Sequence, residues 1–332
     1  MRFHKFLLLF FICGSIFKSS AQTTDNRFEL TVSADGNADF KTIQEAINHV
    51  RDHAEKRVTI RIKAGTYREK VVIPSFKRNI TLKGEGRGRT IISYDDYSGK
   101  DYRGIDATGN TKFSTYTSYT VLVSGNDCSL EDLTIENTAG RVGQAVALHT
   151  DADRITVRNC AILGNQDTLY LARGGTRNYL EHCLISGTTD FIFGAATTYF
   201  YRCTIESRSN SYITAASTTA EDAYGFVFES SVLTALAGAD RVFLGRPWRP
   251  YAKTVFLNTE MGSHIVPEGW HAWPGDKNFP SKEKTAFYAE YGSRGPGSKD
   301  LSKRVSWSVQ LSKNDTAHYT LERVLGGWDP KL

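Results

Sequence analysis

Two aspartates stand in short uncharged segments of this chain: Asp167 in Gly164 to Tyr170 (GNQDTLY) and Asp190 in Gly187 to Gly194 (GTTDFIFG). Each has small or aromatic neighbours and no adjacent basic residue. Such a carboxylate either caps backbone amides in a turn or is buried, and burial demands a partner in space or a shifted pKa. Two carboxylates in different surroundings can supply an acid beside a base or nucleophile at one pH. Gln166 directly precedes Asp167, and Gln144 lies 22 residues earlier in Gly143 to Leu148 (GQAVAL). Neutral amides near a carboxylate pair can donate to a developing oxyanion, although Gln144 alone reads equally as a solvated residue at a strand start. Arg246 lies in Leu244 to Trp248 (LGRPW), where glycine and proline fix the backbone. Its guanidinium can hold a carboxylate through two parallel hydrogen bonds. Trp248 can stack on a sugar ring, with Tyr170, Phe193 and Trp270 completing an aromatic cleft; each is also ordinary core material.

The elements that would position these groups repeat. Ile155 to Ile162, Asn178 to Ile185, Thr198 to Ile205 and Gly225 to Val232 are similar apolar segments, with Cys160, Cys183, Cys203 and Ser231 in the same place. The spacings are 23, 20 and 28 residues. One apolar strand per period of this length predicts stacked coils of a solenoid, with loop insertions on one side. Asp167 follows Cys160 by seven residues and Asp190 follows Cys183 by seven. Equal offsets on successive coils bring the two carboxylates about 4.8 Å apart along the stack. Like charges that close raise one pKa.

Thr42 to Arg51 puts Ile43, Ala46, Ile47 and Val50 on one helical face. β-Branched runs follow at Val58–Ile62, Lys70–Ile73, Asn79–Leu82, Thr90–Ile92, Thr120–Val123, Leu130–Ile135 and Ala145–Leu148. With no alternating helices the chain is all-β. A right-handed parallel β-helix with the early helix capping its open end satisfies the pattern; a sandwich or barrel would not ladder like residues at coil spacing. The cysteines read either as a stack of small buried side chains or as a disulfide, for which Cys183 and Cys203 join the closest repeats.

The N-terminus carries Arg2 and Lys5, an apolar run from Phe6 to Cys13, and small residues ending at Ala21. This predicts a secretory signal peptide over 1–21, too short to span a bilayer, and an exported domain over 22–332. Loss of Arg2, Lys5 and Lys18 lowers the formal charge from +5 to +2, so overall charge gives no case for nucleic acid. No Pro/Ser-rich linker divides the remainder, and no CxxC or clustered histidine predicts a metal.

Together GQAVAL, GNQDTLY, GTTDFIFG, LGRPW and Pro267 to Trp270 (PEGW) resemble the signature segments of the pectin methylesterases, from Asp39 to Trp328. The resemblance implies a secreted carbohydrate esterase with a right-handed parallel β-helix, which removes C6 methyl esters from galacturonate units of pectin without a cofactor or metal. It implies Asp190 as nucleophile, Asp167 as general acid/base, Gln144 and Gln166 as oxyanion donors, Arg246 as the arginine that orients the nucleophile, and Trp248 as a substrate contact. Thr115 is the candidate for the family's substrate-contacting threonine. The Arg173 to Thr176 stretch resembles bacterial members. A monomer acting on methyl-esterified homogalacturonan is the expectation. The alternatives are a lyase or glycosidase cutting the glycosidic bond, and a non-catalytic carbohydrate-binding solenoid that would not need Asp167, Gln166 and Asp190 together.

Overall fold

The computed structural model describes residues 28–105 and 109–331. The expected leader lies outside the described residues. Strands of two to five residues form three sheets of 11, 8 and 7 strands, and every pairing within them is parallel. The chain visits the three sheets in turn, so each strand pairs with the coils before and after it. This is the expected right-handed parallel β-helix.

The first sheet shows what holds the coils together. Its inward column runs Leu30, Ile60, Leu82, Leu130, Val157, Leu180, Phe200, Phe228 and Phe256. Phe200, Phe228 and Phe256 stack face to face at 4.2 and 4.4 Å. Each such side chain contributes roughly 1.5–3 kcal/mol on burial, so apolar contact between coils dominates. The next member is Glu290, fully buried and ion-paired with Arg304 at 2.7 Å. Arg304 also donates to the carbonyls of Val266, Pro267 and Gly297. This pair plugs the C-terminal end, and its hydrogen bonds offset the cost of burying two charges.

The other end is closed by helix α1 (Ile43–His49), shorter than the expected Thr42–Arg51. Thr42 and Glu45 form a reciprocal capping box, and Ile43, Ala46 and Ile47 are buried. The helix stops because Val50 turns to an extended conformation.

The expected run Leu130–Ile135 is not one strand. Ser129–Glu131 belongs to the first sheet and Thr134–Asn137 to the second, with a bend at Asp132 in the left-handed region (φ 56°). Asn159, His182, Arg202 and Ser230 take the same conformation in later coils. Cys160, Cys183, Cys203 and Ser231 follow these corners and point inward, which explains their ladder. All four cysteines at 128, 160, 183 and 203 are free and buried. The Cys183 thiol donates to Val157 O and Glu181 O, and Cys203 to Leu180 O and Tyr201 O. A Cys183–Cys203 disulfide is therefore not formed; the thiols satisfy corner carbonyls instead.

Candidate active site

The site is built on the third sheet, at the turn that leads into it from the second. Leu169 pairs with Ile192, so Asp167 and Asp190, each two residues earlier, occupy one position on successive coils. Both backbones are left-handed (φ 62° and 49°), a conformation that aspartate tolerates better than most residues. Asp167 N–H donates to Thr189 O at 3.1 Å and Asp190 N–H to Tyr212 O at 2.9 Å, tying each turn to the next coil. Gln144 pairs with Gln166 in an isolated parallel bridge. Beyond it the N–H groups of Ala147 and Leu148 both donate to Thr168 O, so one extra residue is absorbed as a bulge while the glutamines remain aligned. Of the expected Ala145–Leu148 strand, only Leu148 enters a regular strand, Leu148–Thr150.

Two glycines permit the close stacking. Gly194 has φ 124°, and a Cβ there would lie 2.0 Å from Leu171 O. A Cβ on Gly245 would lie 1.9 Å from Thr214 Oγ1. Arg246 follows Gly245 and reaches back across a coil to the nucleophile candidate. Its Nε donates to Asp190 Oδ1 at 3.0 Å and its Nη2 to Oδ2 at 2.6 Å. No such donor reaches the Asp167 carboxylate among the described residues.

That difference sets the electrostatics. Burial raises the Asp167 carboxyl to about 8, with the Asp190 charge adding to it and the more distant Arg246 opposing. Burial also raises Asp190, but there the Arg246 hydrogen bonds and charge pull against it, helped by Lys282. Near neutral pH the arrangement favours a protonated Asp167 beside an ionised, arginine-bound Asp190.

The cleft holds about 290 Å³ and is lined by Thr115, Tyr116, Gln144, Gln166, Asp167, Asp190, Phe193, Ala215, Arg246, Trp248 and Trp273. A larger hollow of about 750 Å³ lies over Lys70 and Asp96, but its lysines are already paired with Asp95 and Asp96. Of the sequence candidates, the two aspartates, two glutamines, Arg246, Thr115, Phe193 and Trp248 meet in the cleft. Tyr170 stacks on Phe193 at 4.4 Å without lining the cleft itself. Trp270 does not belong to it. Its bridge to Gly245 turns the indole inward, where it is 1 % exposed and packs on Phe256 and Tyr288. Trp273, three residues on, takes the place expected of Trp270. Trp273, Tyr116 and Ala215 were not singled out by sequence; only the coil register, which sets Ala215 beside Phe193, could have found one of them.

The pectinesterase family matches residues 29–328. The chain belongs to that family. Pectinesterase 31 of Arabidopsis thaliana is 37% identical over 290 residues, covering 87% of this chain and 89% of that protein. Two further plant pectinesterase relatives are longer, and the chain spans 50% and 51% of them. Carrot pectin methylesterase superposes with a TM-score of 0.79 at 33% identity, covering 90% of this chain and 93% of that one. A pectin methylesterase solved in complex with a hexasaccharide gives 0.77 at 31%, covering 91% and 98%. Among the described residues of this pectinesterase no helix is long and apolar enough to cross a membrane. No group of three or more His, Cys, Asp or Glu side chains there could hold a metal ion.

Proposed function

We propose that the cleft hydrolyses C6 methyl esters of galacturonate units in pectin, with Asp190 as nucleophile and Asp167 as general acid and base. The observation that carries this reading is the unequal pair: two stacked carboxylates of which only Asp190 is gripped by a guanidinium. An Asp190 oxygen adds to the ester carbon, and the carbonyl electrons move onto oxygen. The Gln144 and Gln166 side chains, which line the cleft and make no side-chain hydrogen bond to another of the described residues, are available to donate to that oxyanion. Collapse expels methoxide, which takes the Asp167 proton and leaves as methanol. The mixed anhydride remaining on Asp190 is reactive enough to turn over. Asp167, now ionised, removes a proton from water as the hydroxide adds to the sugar acyl carbon. Asp190 departs as a carboxylate, returning to Arg246. Thr115, Phe193 and Trp248 give the cleft a polar rim and an aromatic wall for the neighbouring sugars. Export through a leader over 1–21, leaving a monomeric 22–332 domain, completes the reading.

The test incubates the protein with highly methyl-esterified galacturonan and follows methanol, new acid groups and unsaturated uronate together. Methanol and acid in equal amounts, with polymer length unchanged, are expected; Asp190→Ala should abolish both while retaining fold and polymer binding. Chain shortening without methanol would replace the esterase by a lyase or glycosidase. Binding without any product would leave a carbohydrate-binding solenoid.

A further inference from the structure

Arg246 is held by more than Asp190. Its guanidinium carbon lies 3.9 Å from the Tyr212 ring centroid and 3.5 Å from that of Trp273. Trp273 sits at φ 56°, a left-handed conformation that is costly for a bulky residue and persists only where its surroundings over-determine it. Here they do. The backbone N–H of Trp273 donates to His271 Nδ1 at 3.1 Å, and the His271 ring packs on Tyr212 and Phe243 at 5.2 and 5.3 Å. The same indole carries a second cation, Lys282 Nζ, 4.4 Å from its centroid. The Lys282 side chain is completely buried, bonded to Asp276 Oδ2 at 2.8 Å and to Trp248 O at 3.4 Å. A strained tryptophan and a buried lysine are both costly, and neither belongs to the columns that hold the coils together.

We propose that Trp273 and Lys282 are positioning residues for the nucleophile. Trp273 and Tyr212 form a slot that fixes Arg246 while Asp190 is acylated, and Lys282 braces the indole and places a second positive charge beside the site. This rests on the reading of Asp190 as nucleophile. In the acyl-enzyme Asp190 is neutral and has given one oxygen to the anhydride, so its grip on Arg246 is weakest when the guanidinium must stay in place. A free guanidinium would turn toward water, and the carboxylate released by deacylation would be left without its partner. The slot gives Arg246 the same position in both halves of the reaction. The charged and titratable groups acting on Asp190 are Asp167, Arg246, Lys282 and, from below, Tyr288; His271 acts on Arg246, and Asp276 and Arg249 act on Lys282. With Asp167 protonated, the charges of Asp190 and Asp276 balance those of Arg246 and Lys282, and Arg249 adds a further cation that packs on Trp248 and Phe279 and donates to the same Trp248 carbonyl as Lys282.

Trp273→Leu, Trp273→Phe, Lys282→Met and Lys282→Arg test the slot, with thermal unfolding as a control for folding. Trp273→Leu should lower kcat for methanol release about 10- to 100-fold with KM within about threefold, and Trp273→Phe should recover most of the loss, as expected of an interaction that acts at the reacting centre. A rise in KM at unchanged kcat would make Trp273 a sugar platform and overturn its role. Lys282→Met removes a charge that favours ionised Asp190, so the acidic limb of kcat/KM should move to higher pH, while Lys282→Arg leaves it in place. The same upward shift should appear in the Asp190 carboxylate titration followed by ¹³C NMR without substrate, and an unmoved titration refutes the part assigned to Lys282. Wild-type protein that releases no methanol would refute the functional reading, and the NMR titration would still decide the part assigned to Lys282.

Discussion

Replacing Arg246 by methionine should convert Asp190 into a second Asp167. The two carboxyl groups are stacked at equivalent positions and similarly buried, 9 % and 5 % exposed. They differ mainly in that Arg246 bonds directly to Asp190. Asp167, without that contact, titrates near 8, which serves as the internal benchmark for a carboxyl at this depth. If Asp190 moves to the same range in Arg246→Met, about 1 % of it is ionised at pH 6 and about half at pH 8. The kcat/KM for methanol release should therefore fall at pH 6, by up to about 100-fold, through ionisation alone. It should recover roughly tenfold per pH unit up to about pH 8, where loss of the Asp167 proton sets a new limit. A pH-stat assay cannot separate methanol from acid, so methanol itself should be measured between about pH 5 and pH 9. A loss of the same size at every pH would refute this reasoning and reduce Arg246 to an orienting group. Unaltered activity at pH 6 would remove Asp190 from the role of nucleophile.

Asp167→Asn should nearly abolish activity yet stabilise the fold at alkaline pH. Asp167 releases its proton near 8 when folded and near 4 when unfolded, so between these values the unfolded chain holds fewer protons and stability falls as pH rises. Tm measured at about pH 5 and about pH 9 should converge in the variant, and an unchanged difference would contradict the raised pKa. Gln144→Ala and Gln166→Ala should each lower kcat by about 10²–10³ with little change in KM; an effect confined to KM would make that glutamine a substrate contact. The thiols of Cys128, Cys160, Cys183 and Cys203 should react with a thiol reagent only after unfolding, and reductant should leave Tm unchanged. A drop in Tm on reduction would reveal a disulfide.

The register of the coils was legible because it is written in identical residues. The spacing from Cys160 to Cys183 to Cys203 to Ser231 is the spacing by which Ala161, Leu184, Thr204 and Val232 pair in the second sheet. The aspartates repeat the Cys160–Cys183 spacing and the glutamines, 22 residues apart, come within one residue of it, so their convergence could be read before any coordinates. Corners were less visible. In Leu130–Ile135 the bend falls at Asp132, and the buried Leu133 directly after it makes the segment read as one strand across two sheets. The choice between Trp270 and Trp273 was not legible at all. It depends on which side of the chain faces inward after Gly269, and then on a left-handed tryptophan that no local preference would suggest. Contacts with Arg246, Lys282 and His271, distant in sequence or imposed by the turn, decide it.

The stacked aspartates carry a lesson about how one scaffold divides labour. Asp167 and Asp190 share a residue type, a backbone conformation and a place in the repeat. Duplicating a coil would copy such a carboxylate and raise one pKa of the pair, but would not decide which of the two keeps the proton. Symmetry is broken from outside the pair, by an arginine that arrives 56 residues after Asp190 and reaches only the nearer carboxylate. In the proposed mechanism, identity as acid or nucleophile is thus an address along the axis. A second arginine aimed at Asp167 would erase the distinction, and moving the first by one coil would exchange the roles.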